Sequence, residues 1–89
     1  MKLERVIEVY RKSDERNIGT YVINLDAEGI LDTLKDLVLK EDDYPGEIYY
    51  PYCLTESQVK KLIPFLQTSL HIDFENSLYE LSCYDVSRK

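Results

Sequence analysis

The sequence predicts a small α+β domain: a two-layer sandwich with a mainly antiparallel four-stranded sheet and two helices on one face, in the order β-β-α-α-β-β. Three observations point there. Runs rich in β-branched and aromatic residues alternate at period two near both ends of the chain. Two apolar stripes at helical spacing, each preceded by a capping residue, lie between them. And 89 residues make a single domain, 1–89, because two halves would each be too small to bury a core.

The first strand is read over Leu3–Lys12, where Val6, Ile7, Val9 and Tyr10 suit extended backbone. Its alternation is imperfect. Leu3, Ile7 and Val9 share one face, while Val6 and Tyr10 share the other with Glu4 and Glu8, as in a strand partly covered on both sides. Ser13–Asn17 is a polar turn, and Gly19 beside it fits a positive-φ or bulge position. Thr20–Leu25 alternates more cleanly, Tyr21, Ile23 and Leu25 against Thr20, Val22 and Asn24, and completes an antiparallel hairpin.

Asp26 stands where an N-cap belongs. Behind it Ala27, Ile30, Leu31, Leu34, Leu37 and Val38 form an amphipathic stripe that predicts a helix to about Lys40. Glu28 near its start and Lys40 at its end complement the helix dipole, while Gly29 weakens it by up to about 1 kcal/mol relative to Ala. Thr55-Glu56-Ser57-Gln58 reads as a capping box, with Leu54 and Val59 placed as a hydrophobic staple. The second stripe runs through Val59, Leu62, Ile63 and Leu66. Pro64 removes an amide donor within it and predicts a kink or a break near Lys61 to Ile63. Leu70–Phe74 alternates as a short strand, Glu75-Asn76-Ser77 turns the chain, and Leu78–Val86 is the last strand. On it Tyr79, Leu81 and Cys83 face one way, Glu80, Ser82 and Tyr84 the other.

Between the helices runs an acidic, tyrosine-rich connection, 41–54. Its stretch Glu41–Tyr52, EDDYPGEIYYPY, holds four carboxylates, no cation and four of the chain's eight tyrosines. Pro and Gly exclude a helix interior, and the aromatic content exceeds that of an ordinary solvated loop. Two readings of it compete. In one, Tyr44, Tyr49, Tyr50 and Tyr52 pack the loop across the helices together with Ile48, and the carboxylates keep it soluble. In the other, the tyrosines are rigid contact residues of a binding surface. Glu41, Asp42, Asp43 and Glu47 then steer and pair with a basic partner.

Composition narrows the rest. A net charge of −6 and a pI near 4.7 oppose binding to nucleic acid or to an anionic membrane, and are compatible with a basic partner. No apolar run reaches the roughly 20 residues a bilayer needs. The N-terminus meets charge at once, so the mature chain is read as starting at Met1 and working in the cytoplasm. Cys53 and Cys83 are read as two reduced thiols, Cys83 in the core. One histidine, His71, and no close Cys pair give no metal spacing, and three scattered glycines give no phosphate loop. No motif sets a nucleophile beside His71. The reading is of a protein that is not an enzyme and needs no cofactor.

Three stretches, ERVIEVYRKSDER, YPYCLTESQVKKLIPFL and IDFENSLYELSC, carry a resemblance. With them the chain resembles small cytosolic bacterial immunity proteins of contact-dependent growth inhibition and related polymorphic toxin systems. The resemblance implies an antitoxin-like inhibitor that binds the C-terminal toxin domain of its cognate system one-to-one, with a basic nuclease as the expected partner and occlusion of its active-site cleft as the mechanism. It does not assign interface residues; Glu41, Asp42, Asp43, Tyr44, Glu47, Tyr49, Tyr50 and Tyr52 are expected from their chemistry alone. The alternative is an interaction or regulatory domain with no toxin partner, homodimeric through a sheet edge.

Overall fold

A computed structural model of the chain describes residues 3–37, 39, 41 and 51–85. Four strands, β1 (Leu3–Arg11), β2 (Asn17–Ile23), β3 (Tyr52–Cys53) and β4 (Ser77–Asp85), make one antiparallel sheet in the order β2-β1-β4-β3. Two helices, α1 (Ala27–Thr33) and α2 (Glu56–Leu62), lie between strands in sequence, and a 3-10 turn, Ile63–Phe65, follows the second. The first and last strands therefore pair at the centre of the sheet, in register from Leu3 opposite Asp85 to Arg11 opposite Ser77.

The core forms where one sheet face meets both helices. Ile7 and Val9 of β1, Ile23 of β2, Tyr79 and Leu81 of β4 and Tyr52 of β3 share one buried cluster with Ala27, Ile30, Leu34, Val59 and Leu62. Fully burying an aliphatic side chain of this size stabilises by about 1.5–3 kcal/mol, so the two short stripes are what hold the helices to the sheet. The sandwich predicted from the sequence is the architecture observed. Among the described residues, no helix is long and apolar enough to cross a membrane.

Local chemistry sets the element ends. The Asp26 carboxylate accepts from the Gly29 N–H at 2.8 Å. A Cβ at Gly29 would stand 3.2 Å from that same carboxylate oxygen and 3.1 Å from Leu25, which gives a weak helix former a reason to be there. The capping box is complete: the Gln58 N–H donates to the Thr55 hydroxyl at 3.2 Å, and the Thr55 N–H donates to Gln58 Oε1 at 2.9 Å. Leu54 and Val59 are both buried in the core, as the staple requires. The helix stops at Leu62, and Pro64 sits in the 3-10 turn that follows.

Four expectations need correction. The first helix ends at Thr33, not near Lys40. Gly29 and Thr33 are weak helix formers, and Asp32 and Asp36 put negative charge where the dipole disfavours it. Leu37 and Leu39 still pack against the core, from irregular backbone. Leu70–Phe74 is not a strand; the fourth strand is Tyr52–Cys53 instead. In the 70–74 segment the Asp73 N–H donates to the Tyr79 hydroxyl at 2.7 Å, so a side chain replaces a ladder partner, and Phe74 stacks on the Tyr79 ring at 4.4 Å. Apolar alternation there reports burial without pairing.

The other two concern the second strand. It runs Asn17–Ile23, starting before Gly19 and stopping where Asn24 turns outward to donate to the Phe65 carbonyl at 2.7 Å. Gly19 adjoins the bulge opposite Val9 and Tyr10 but has no positive φ. Its missing Cβ makes room for the Tyr21 ring, which would lie 2.8 Å away. The left-handed residue of the hairpin is Glu15, at φ 57°.

Three variants test this picture. Thr55→Ala removes the hydroxyl arm of the capping box and is expected to lower the unfolding free energy by about 1 kcal/mol, read as a lower urea midpoint at unchanged slope. Glu15→Asn, which tolerates the left-handed region, is expected to stabilise by up to about 1 kcal/mol, and Glu15→Val to destabilise, in thermal unfolding.

Candidate functional site

Both helices pack on the core face of the sheet, and the outward positions of the strands make the other face. Alternation from the core positions puts Glu4, Val6, Glu8 and Tyr10 of β1 on it. Thr20 and Val22 of β2, Cys53 of β3, and Leu78, Glu80, Ser82 and Tyr84 of β4 complete it. Not one of these described positions is a cation. Val6 and Ser82 are buried along the middle of the face, whereas Leu78 is 50% and Tyr84 45% exposed.

At its centre the register sets Glu8 directly opposite Glu80, a like-charge pair on neighbouring strands. Such a pair destabilises a sheet. Glu8 is only 8% exposed, yet well partnered: its Oε2 accepts from the Tyr84 hydroxyl at 2.5 Å and from Asn17 Nδ2 at 3.3 Å. The hairpin bulge brings Asn17 opposite Tyr10 and so within reach of Glu8. The bond to Glu8, with burial and the Glu8 charge behind it, pushes the Tyr84 phenol up to about 12. Burial, then the Glu8 charge, raises Tyr10 as well.

Glu8, Glu80, Ser82, Cys83 and Tyr84 line a shallow cleft of about 220 Å³ together with Pro51. Through Pro51 the acidic connection enters the sheet at this face. A second cleft beside it, about 170 Å³, is lined by Tyr10, Glu15, Cys53, Leu78, Tyr79 and Glu80. Glu80 thus borders both.

The residues expected from sequence fare unequally. Glu41 is exposed in a turn. Tyr52, expected as a contact residue, is a core residue instead: it is 8% exposed and paired with Leu81, because the last residues of the connection are recruited as β3 and alternation turns this ring inward. Asp42, Asp43, Tyr44, Glu47, Tyr49 and Tyr50 lie outside the described residues. Glu8, Glu80, Tyr10, Tyr84 and Leu78 were missed as site residues. Each was visible as an outward position of a strand, but only the adjacency of β1 and β4 brings them together.

The remaining candidates fall apart by geometry. Cys53 pairs opposite Glu80 on the outward face and Cys83 opposite Arg5 on the helix face, and both are thiols, Cys53 exposed and Cys83 half-buried. His71 is exposed, and its carbonyl accepts from the Tyr79 hydroxyl at 3.4 Å. Among the described residues no group of three or more His, Cys, Asp or Glu is placed to hold a metal ion.

The Tyr84–Glu8 bond has a pH signature. A phenol raised from 10.0 to about 12 contributes stability that is fully present below pH 10 and is lost as the pH rises through 12. In an ultraviolet titration one tyrosine of the folded protein should therefore ionise well after the exposed ones. Tyr84→Phe should remove that late step; a late step that survives the substitution belongs to another tyrosine.

No curated protein matches the chain, and no solved structure does. One family model does match, over residues 4–82, which takes in both helices, the opposed carboxylates and nearly the whole sheet. The chain belongs to the family described as DUF7683, a domain of unknown function.

Proposed function

We propose that this domain is a binding module that captures and neutralises a basic partner protein. In its most specific form the reading follows the sequence resemblance: an immunity protein, acting in the bacterial cytoplasm, that occludes the basic cleft of a cognate toxin domain, a nuclease by expectation, in a one-to-one complex. The observation that carries the proposal is the outward face, without a cation among its described residues, where opposed carboxylates stand among partly exposed tyrosines beside Pro51 of the acidic connection. Tyrosine rings offer large, stiff contact area at low entropic cost. Carboxylates select the sign of the partner and raise the encounter rate. In the sequence, Glu41, Asp42, Asp43 and Glu47 add the same sign of charge in the stretch before Pro51. The protein performs no chemistry of its own in this reading; it works by occupying a surface.

Co-expression with the C-terminal segment of the neighbouring upstream reading frame tests this. Restored growth and co-elution as a one-to-one complex are expected, whereas growth arrest with separate elution contradicts the proposal. Within such a complex, Asp42→Lys, Asp43→Lys and Glu47→Lys together should slow association by about tenfold or more and flatten its salt dependence in stopped flow. Unchanged kinetics would remove the connection from the interface.

A further inference from the structure

We infer that segment 65–67 guards the outer edge of β2 and keeps two copies of this chain from joining their sheets through that edge. β2 is the outermost described strand on its side of the sheet. Over Asn17–Ile23 it holds no charge and no proline, while Ile18, Thr20, Tyr21, Val22 and Ile23 all favour extended backbone and Ile18 is 51% exposed. Edges that stay unpaired usually carry a charge, a proline or a cover. Here the chain itself supplies a cover. Leu66 forms an antiparallel bridge with Ile23, the Gln67 N–H donates to the Val22 carbonyl at 3.0 Å, and the Asn24 N–H donates to the Phe65 carbonyl at 2.7 Å. Gln67 Nε2 also donates to Asn24 Oδ1 at 2.9 Å and clasps the two stretches together.

The cover stops short. Val22 turns its carbonyl away from β1, so Thr20, two residues earlier, turns both its N–H and its carbonyl the same way. Among the described residues no backbone group outside the pairing with β1 bonds to Thr20, and the residue is exposed. A residue with both groups outward can pair with its own copy across a two-fold axis, which makes a second copy of this chain the occupant that fits. That contact would set threonine against threonine and bring Ile18 of each copy beside Val22 of the other. Neither strand brings a charge to it, despite the −6 of the whole chain. It cannot form as the molecule stands, because Gln67 occupies the place beside Val22 that Ile18 of the other copy would take. The bulge opposite Val9 and Tyr10 works to the same end by distorting the strand next to Thr20.

Sedimentation velocity on the full chain tests this, with amide hydrogen exchange beside it. The parent should sediment as a monomer at every concentration, and its Thr20 amide should exchange freely while those of Asn24 and Gln67 are protected. Gln67→Pro removes both the donor to Val22 and the clasp, and Leu66, at ψ 143°, already has the extended backbone that a following proline favours. This variant should shift to twice the monomer mass as its concentration rises, and its Thr20 amide should become protected. Adding Thr20→Pro, which takes away only an outward N–H, should return the monomer. If Gln67→Pro fails to fold, the exposed pair Asn24→Ala, Gln67→Ala removes the clasp alone and should dimerise more weakly. A parent dimer, a protected Thr20 amide in the parent monomer, folded variants that stay monomeric, or a dimer that survives Thr20→Pro each overturns the inference.

Discussion

The antiparallel pairing of the first strand with the last is the constraint from which both faces of this protein follow. Ile7 and Val9 must meet Leu81 and Tyr79 to build a core under the helices. Because side chains alternate strictly, that register also places Glu8 opposite Glu80 and Tyr10 opposite Leu78 on the far side. A slip by one residue would turn the carboxylates toward the helices and the core residues away from them, so the hydrophobic face enforces the arrangement of the polar one. The acid pair is thus held by packing that it does not share.

What the sequence made legible follows from how local each signal is. The N-cap at Asp26, the capping box at Thr55 and Gln58, and the stop at Pro64 each depend on residues within one helical turn, and all three were read correctly. Leu70–Phe74 misled because alternation records which side chains are buried, and Leu70, Ile72 and Phe74 do pack on the core. Whether backbone groups find a ladder is another question, settled here by the Tyr79 hydroxyl. Tyr52–Cys53 escaped notice for the opposite reason: two residues are too few to show a period, and their strand exists only because β4 offers an edge.

The candidate site was legible as chemistry and not as place. Acid and tyrosine were recognised as the distinctive pairing, and the connection was read as where they meet. On the sheet the same pairing recurs in Glu8, Glu80, Tyr10 and Tyr84, contributed by the first and last strands, with 76 residues between the partners of the Tyr84–Glu8 bond. No local pattern joins such residues. Tyr52 shows the converse, a tyrosine of the acidic stretch that serves the core. Composition can say that a surface is acidic and aromatic, but strand order decides which residues make it.

Opposed glutamates at the centre of a sheet lower stability in the free protein, and their presence is intelligible if a positive partner group removes that penalty. The most direct test is a double-mutant cycle on the isolated chain, comparing unfolding free energies of Glu8→Gln, Glu80→Gln and the double variant at neutral pH and low salt. The expected result is a repulsive coupling of about 0.2–1 kcal/mol, with Glu80→Gln more stable than the parent and no further gain once Glu8 is already neutral. An attractive or absent coupling, with Glu80→Gln no more stable than the parent, would contradict the account.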